Sequence, residues 1–161
     1  MTMMHLKYPC LLLVMSLVGC DAKRIYEKNV TIPDGIWNVN NLVEFELEIQ
    51  DTLTPANMYI NIRNSGAYSY SNLFLFINTT FPDGVNRKDT VECILANKSG
   101  WLGSGLGDIW DHQILFRRGI RFPLPGTYTI SYEQAQRFGK SAYIENLPFI
   151  LDVGLRVENS Q

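Results

Sequence analysis

Cysteine is scarce in this chain, with three among 161 residues, and histidine scarcer, with His5 and His112 alone. So few thiols and imidazoles exclude a disulfide scaffold and a zinc site built from Cys/His pairs. They also leave catalysis short of a nucleophile held beside a base. Long apolar runs are missing except for one near the N-terminus, Cys10 to Val18. That run has about half the roughly 20 residues that a bilayer-spanning helix needs. There is no basic excess, since 14 Lys and Arg face 16 Asp and Glu, so nothing attracts nucleic acid. Low-complexity tracts, internal repeats and a convincing amphipathic helix are absent as well.

What the N-terminus does contain is a short polar lead with His5 and Lys7, followed by the apolar run, which together read as a secretory segment. The run closes on Leu17-Val18-Gly19-Cys20. This resembles a lipobox, in which a small residue precedes the cut and the new N-terminal thiol accepts diacylglycerol. Each buried methylene of the acyl chains contributes roughly 0.8 kcal/mol, so two or three chains hold a protein stably at a membrane surface. The expected division is residues 1–19 as lipoprotein signal peptide, 20–28 as lipidated Cys20 with a short polar tether, 29–158 as the folded domain and 159–161 as a tail. Cys10 leaves with the signal peptide and Cys20 is consumed by lipid, so the mature chain keeps Cys93 as its single thiol and has no internal disulfide. Its charge becomes 13 basic against 16 acidic residues, because Lys7 is removed.

Beyond the tether the hydrophobic period is two, most plainly in Val43-Glu44-Phe45-Glu46-Leu47-Glu48-Ile49-Gln50, the pattern of a half-buried strand with an acidic outer face. Further strands are predicted over 58–63, 73–80, 90–97, 109–116, 127–133 and 149–158. Turn chemistry at Asp34-Gly35, Asn64-Ser65-Gly66, Pro82-Asp83-Gly84 and Pro125-Gly126 separates them. A turn or two of helix is predicted around Glu133 to Phe138. Leu73-Phe74-Leu75-Phe76-Ile77 is apolar on both faces, as in a central strand covered on each side, with an interface or a bound apolar ligand as the alternative. The fold class is therefore all-β, an antiparallel β-sandwich, and strand spacing leaves jelly-roll and immunoglobulin-like topologies both open. An aromatic content of 12% supplies large side chains for its core.

Two segments are candidates for function. Gly100-Trp101-Leu102-Gly103-Ser104-Gly105-Leu106-Gly107-Asp108-Ile109-Trp110 lacks the phosphate-binding spacing of glycines and has no helix after it. It reads as a tight loop closing one end of the sandwich, with a sugar platform of Trp101, Trp110 and Asp108 as the alternative. Calcium held by Asp108 and Asp111 is a weaker possibility. Arg117-Arg118-Gly119-Ile120-Arg121 is a cationic patch able to meet a protein, an anionic head group or a polysaccharide, or else a solvated loop. His112 is expected as an exposed polar residue of the strand 109–116, and Cys93 as a small buried one.

The order of several motifs carries a resemblance. Asp89-Thr90-Val91-Glu92-Cys93, the glycine-rich segment 100–108, Phe122-Pro123 before Gly126-Thr127-Tyr128, Glu133-Gln134-Ala135-Gln136-Arg137, and Asp152-Val153-Gly154-Leu155-Arg156-Val157-Glu158 together resemble the gliding-motility lipoprotein family GldH of Bacteroidetes, lipobox included. The resemblance implies a non-enzymatic accessory role in an envelope machinery linked to type IX secretion. It implies envelope protein partners and no catalytic residue; no cofactor is expected, and no metal either, since the mature chain has no histidine or cysteine pair. It also implies an outer-membrane location. Asp21-Ala22-Lys23-Arg24 lacks the acidic run of surface-displayed lipoproteins, which favours the periplasmic face. Asp51-Thr52-Leu53 and Asp89-Thr90-Val91 are similar to the Asp-Ser/Thr-aliphatic sites that Bacteroidetes O-glycosylate, making Thr52 and Thr90 candidates, Thr52 the better for its place in a loop.

Overall fold

The computed structural model describes residues 21–160, and the signal segment and Cys20 lie outside it. Thirteen strands follow in order: β1 (Arg24–Thr31), β2 (Ile36–Asn38), β3 (Val43–Ile49), β4 (Ala56–Ser65), β5 (Asn72–Thr80), β6 (Asn86–Ile94), β7 (Ala96–Asn97), β8 (Gly100–Trp101), β9 (Ser104–Leu106), β10 (Ile109–Ile120), β11 (Gly126–Gln134), β12 (Asn146–Pro148) and β13 (Ile150–Asn159). The only helical element among the described residues is one 3-10 turn, Pro33–Gly35. No helix there is long and apolar enough to cross a membrane.

Two antiparallel sheets, β1-β13-β4-β10-β9 and β3-β11-β5-β6, face each other. With the short β9 set aside, their ladder pairs are nested: β1 with β13, β3 with β11, β4 with β10, β5 with β6. The chain is thus one long hairpin rolled up so that its pairs alternate between two four-stranded layers, which is the jelly-roll arrangement rather than the immunoglobulin one.

Alternation decides which residues fill the gap between the sheets. In β3, Val43, Phe45, Leu47 and Ile49 are buried and the intervening glutamates exposed. β4 supplies Met58, Ile60 and Ile62, β5 supplies Leu73, Leu75 and Ile77, β11 supplies Tyr128, Ile130 and Tyr132, and β13 supplies Val153, Leu155 and Val157. Phe45 and Tyr132 pack with ring centroids 4.9 Å apart. Each such side chain contributes roughly 1.5–3 kcal/mol by leaving water. The far side of β5 is only half covered: Phe74 and Phe76 are partly exposed there, and the Lys88 ammonium sits 4.1 Å above the Phe76 ring.

Several expectations are corrected. The segment 24–28 is not a tether but the first half of β1, zipped onto β13 from Arg24↔Glu158 onward. Its polar side chains lie on the outer face of an edge strand with a register shift between Arg24 and Tyr26, which hides the period of two. The C-terminal strand likewise extends to Asn159, and the Ser160 amide donates to the Pro55 carbonyl. No helix forms at 133–138. β11 runs to Gln134, and the chain then follows β5, with the Ala135 amide donating to the Phe74 carbonyl and the Gln136 carboxamide oxygen accepting from the Phe74 amide.

Candidate functional site

At the end of the sandwich where β4 finishes and β10 begins, β9 and β10 form a two-residue hairpin through Gly107 and Asp108, with Gly107 at positive φ as such turns require. Trp110 lies opposite Gly105 across this hairpin. A Cβ on Gly105 would fall 2.6 Å from the indole ring, so the ring lies flat on bare backbone. Trp101 stacks beside it at 6.4 Å, and Tyr68 and His112 flank Trp101 at 6.5 and 6.3 Å. Both tryptophans are half-buried. Asp108 is committed to the fold: Oδ2 accepts from the Ser65 hydroxyl at 2.8 Å and its carbonyl accepts from the Gly66 amide. The glycines here serve close approach, as Gly103 and Gly66 show, where a Cβ would meet the Asp111 carbonyl and the Asp108 carboxylate, both at 2.3 Å.

His112 points inward, against the expectation of exposure. It is 6% exposed, and Nε2 donates to Oδ1 of the fully buried Asn64 at 2.9 Å. That donation is fixed because the Asn64 amide nitrogen is already given to the Ser65 carbonyl. Burial pushes the imidazole pKa below its usual value, with Asp111 opposing. Cys93 is fully buried, and burial raises its thiol to about 12, which makes it a core residue rather than a nucleophile.

The three arginines expected to act together are separated by the strand that contains them. β10 shifts register between Leu115 and Arg117 and again before Ile120, so the residues after Leu115 leave simple alternation. Arg117 turns between the sheets, pairs with Asp89 of β6 at 2.7 Å and lies against Phe116. Arg121 donates from Nε to the Leu53 carbonyl at 2.9 Å and so ties down the 51–55 loop. Arg118 is exposed and, like Arg121, has no carboxylate within pairing distance among the described residues. Beside this segment a cleft of about 440 Å³ opens between the edges of β6 and β10, walled by Phe81, Phe116, Ile120 and Phe122.

A second cleft, of about 500 Å³, was not visible from periodicity. It lies on the outer face of the larger sheet, where register places Thr31, Asp152, Arg63 and Asp111 in one row across four strands. Arg63 donates to Asp111 at 2.7 Å and to Asp152 at 3.2 Å, and the Thr31 hydroxyl donates to Asp152. The next row carries Asn29 and Asn61 on either side of Gly154, and their carboxamides meet above it. The alternating polar residues of β4 were readable, but their partners come from strands far away in the chain. With Asp108 bound to Ser65 and Asp111 to Arg63, the two carboxylates considered for calcium are separately engaged. Among the described residues no group of three His, Cys, Asp or Glu side chains is placed to hold a metal ion. Thr90 is exposed on the outer face of β6, and Thr52 is half-buried in the 51–55 loop, where the Asp51 carboxylate accepts from Leu53, Thr54 and the Thr54 hydroxyl.

These features define an all-β, jelly-roll sandwich domain with clefts between and upon its sheets. Residues 24–157 match the model of the GldH lipoprotein family, so nearly every strand falls within the match. A gliding motility lipoprotein GldH homolog of Christiangramia forsetii is 38% identical over 144 residues, covering 88% of each chain. The gliding motility lipoprotein GldH of Flavobacterium johnsoniae is 33% identical over 150 residues, 92% of each. The chain belongs to the GldH lipoprotein family. Among solved structures, the infectious bursal disease virus VP2 subviral particle aligns at a TM-score of 0.37 and 14% identity, over 95% of this chain and 38% of that one, too distant to carry an argument.

Proposed function

We propose that this protein is anchored by lipid on Cys20 at the periplasmic face of the outer membrane. There it acts without catalysis, by binding envelope protein partners in a gliding machinery linked to type IX secretion. The observation that carries this reading is that the family match takes in the whole sandwich and starts four residues after the lipobox cysteine. The cleft between β6 and β10 is the proposed partner contact, because it joins apolar walls to the guanidinium groups of Arg87, Arg117 and Arg121. Thr90 is the proposed O-glycosylation site by exposure, and Thr52 becomes one if its loop opens.

Affinity purification of the lipidated protein from its native membrane, with mass spectrometry of the eluate and of Cys20, tests the assignment. Stoichiometric envelope proteins that are lost with Arg87→Glu, at an exposed residue of the cleft wall, are the expected result. A partner that stays bound to that variant overturns the cleft contact, and a clean monomer retaining polysaccharide overturns the accessory role. The sugar reading of the tryptophan hairpin has less support, since Gly105 closes one face of Trp110 and Ser65 occupies Asp108.

A further inference from the structure

Lipid attachment fixes which end of the sandwich meets the bilayer. The chain has no slack after Cys20: the Asp21 carboxylate is ion-paired with Arg156, its carbonyl accepts from the Arg24 amide, and the Lys23 carbonyl accepts from the Asn159 amide at 2.8 Å. Residue 20 can therefore stand only about 3.8 Å, one Cα step, from a residue held by the fold. The same end gathers the 51–55 loop, the 81–85 turn and the 119–125 connection. The register sets Arg24, Glu158, Asn57 and Ile120 near one level, and Pro82 lies against Gly126. The hairpin of Trp110 is at the opposite end, and a strand of ten residues spans roughly 30 Å.

We propose that this end rests on the bilayer surface, with Leu53 and Val85 dipping into the interface and Lys23 and Arg121 against lipid phosphates. This rests on the lipidation of Cys20 proposed above. Leu53 is 80% exposed and Val85 58%, each at the tip of a loop braced from behind. The Asp51 carboxylate and Arg121 brace the first, and a Phe81 amide to Val85 carbonyl bond braces the second. Rigid loops presenting single apolar side chains lose little conformational freedom on insertion, and the covalent anchor makes their encounter with lipid intramolecular. Exposed charges at this end are Lys23, Arg24, Arg87, Arg118 and Arg121 against Glu48, Asp51 and Asp83, while Asp21 is spent on Arg156. The balance favours an anionic surface.

The test places nitroxide spin labels at Leu53→Cys, Val85→Cys and Leu106→Cys in the lipidated protein, reconstituted in vesicles of phosphatidylethanolamine and phosphatidylglycerol. Cys93 is buried and stays unlabelled. The ratio of oxygen to nickel-chelate accessibility should rise several-fold at 53 and 85 on reconstitution and stay unchanged at 106. Equal, water-like ratios at all three positions in protein that floats with the vesicles would overturn the docking while leaving the anchor intact. Exclusion of both oxygen and nickel at 53 would mean that a protein covers this end, which overturns the lipid assignment. Protein that fails to float, with unmodified Cys20 by mass, overturns the anchoring itself.

Discussion

Gly105→Ala should change the sign of its effect with the residue opposite. In the native protein the added methyl group would lie 2.6–2.8 Å from three atoms of the Trp110 ring, closer than carbon atoms tolerate. The ring cannot slide freely, because Trp101 stacks beside it. Overpacking of this kind costs about 1–3 kcal/mol. Because β9 is held by only three cross-strand pairs, fraying limits the loss to the cost of opening that hairpin. In a Trp110→Ala background the obstacle is gone, and a glycine within a strand is then worse than alanine by about 0.5–1 kcal/mol, so the same substitution stabilises. Urea unfolding of the domain from Asp21 onward reads both. With a slope of about 2 kcal/mol per molar, the midpoint should drop by about 0.5–1.5 M in the first background and rise by about 0.3–0.5 M in the second. Equal shifts of the same sign would refute the claim that Gly105 is bare because an indole lies on it.

Arg117→Glu should destabilise by about 1 kcal/mol, since it breaks the pair with Asp89 and replaces it with repulsion, whereas Arg118→Glu should stay within about 0.5 kcal/mol in the same unfolding assay. His112, the single histidine after residue 20, has its folded pKa held below the unfolded value of 6.5. The unfolded chain therefore takes up the proton first. Stability should be full above about pH 6.5, fall on acidification until the folded pKa is passed, and lose that step in His112→Gln. Cys93 should ignore a thiol reagent in the native protein and react at a rate that tracks unfolding as urea is added.

The strands that could be read directly are those with one dry and one wet face. β3 alternates without exception, and the acidic outer row of Glu44, Glu46 and Glu48 marks it at once. Where the ladder slips, the period slips with it: β1 looked like a tether because of the shift after Arg24, and the arginines of β10 looked like a loop because two shifts follow Leu115. The false helix at 133–138 had polar residues that are explained by Gln136 bonding the edge of β5. The tryptophan hairpin was legible as glycine chemistry, though not which atoms the glycines clear. Neither cleft was legible, because each is assembled by register between residues 30 to 120 positions apart, about which local periodicity is silent.

Because β13 lies between β1 and β4, a strand made more than a hundred residues after β1 is the one that joins β1 to the rest of its sheet. Until it arrives, β1 has no ladder partner and β4 lacks one of its two neighbours. The sheet consequently closes only once Ile150–Asn159 has been made, and a product ending before Ile150 would present two unsatisfied strand edges to whatever lies nearby. Folding of this domain therefore waits on the synthesis of β13.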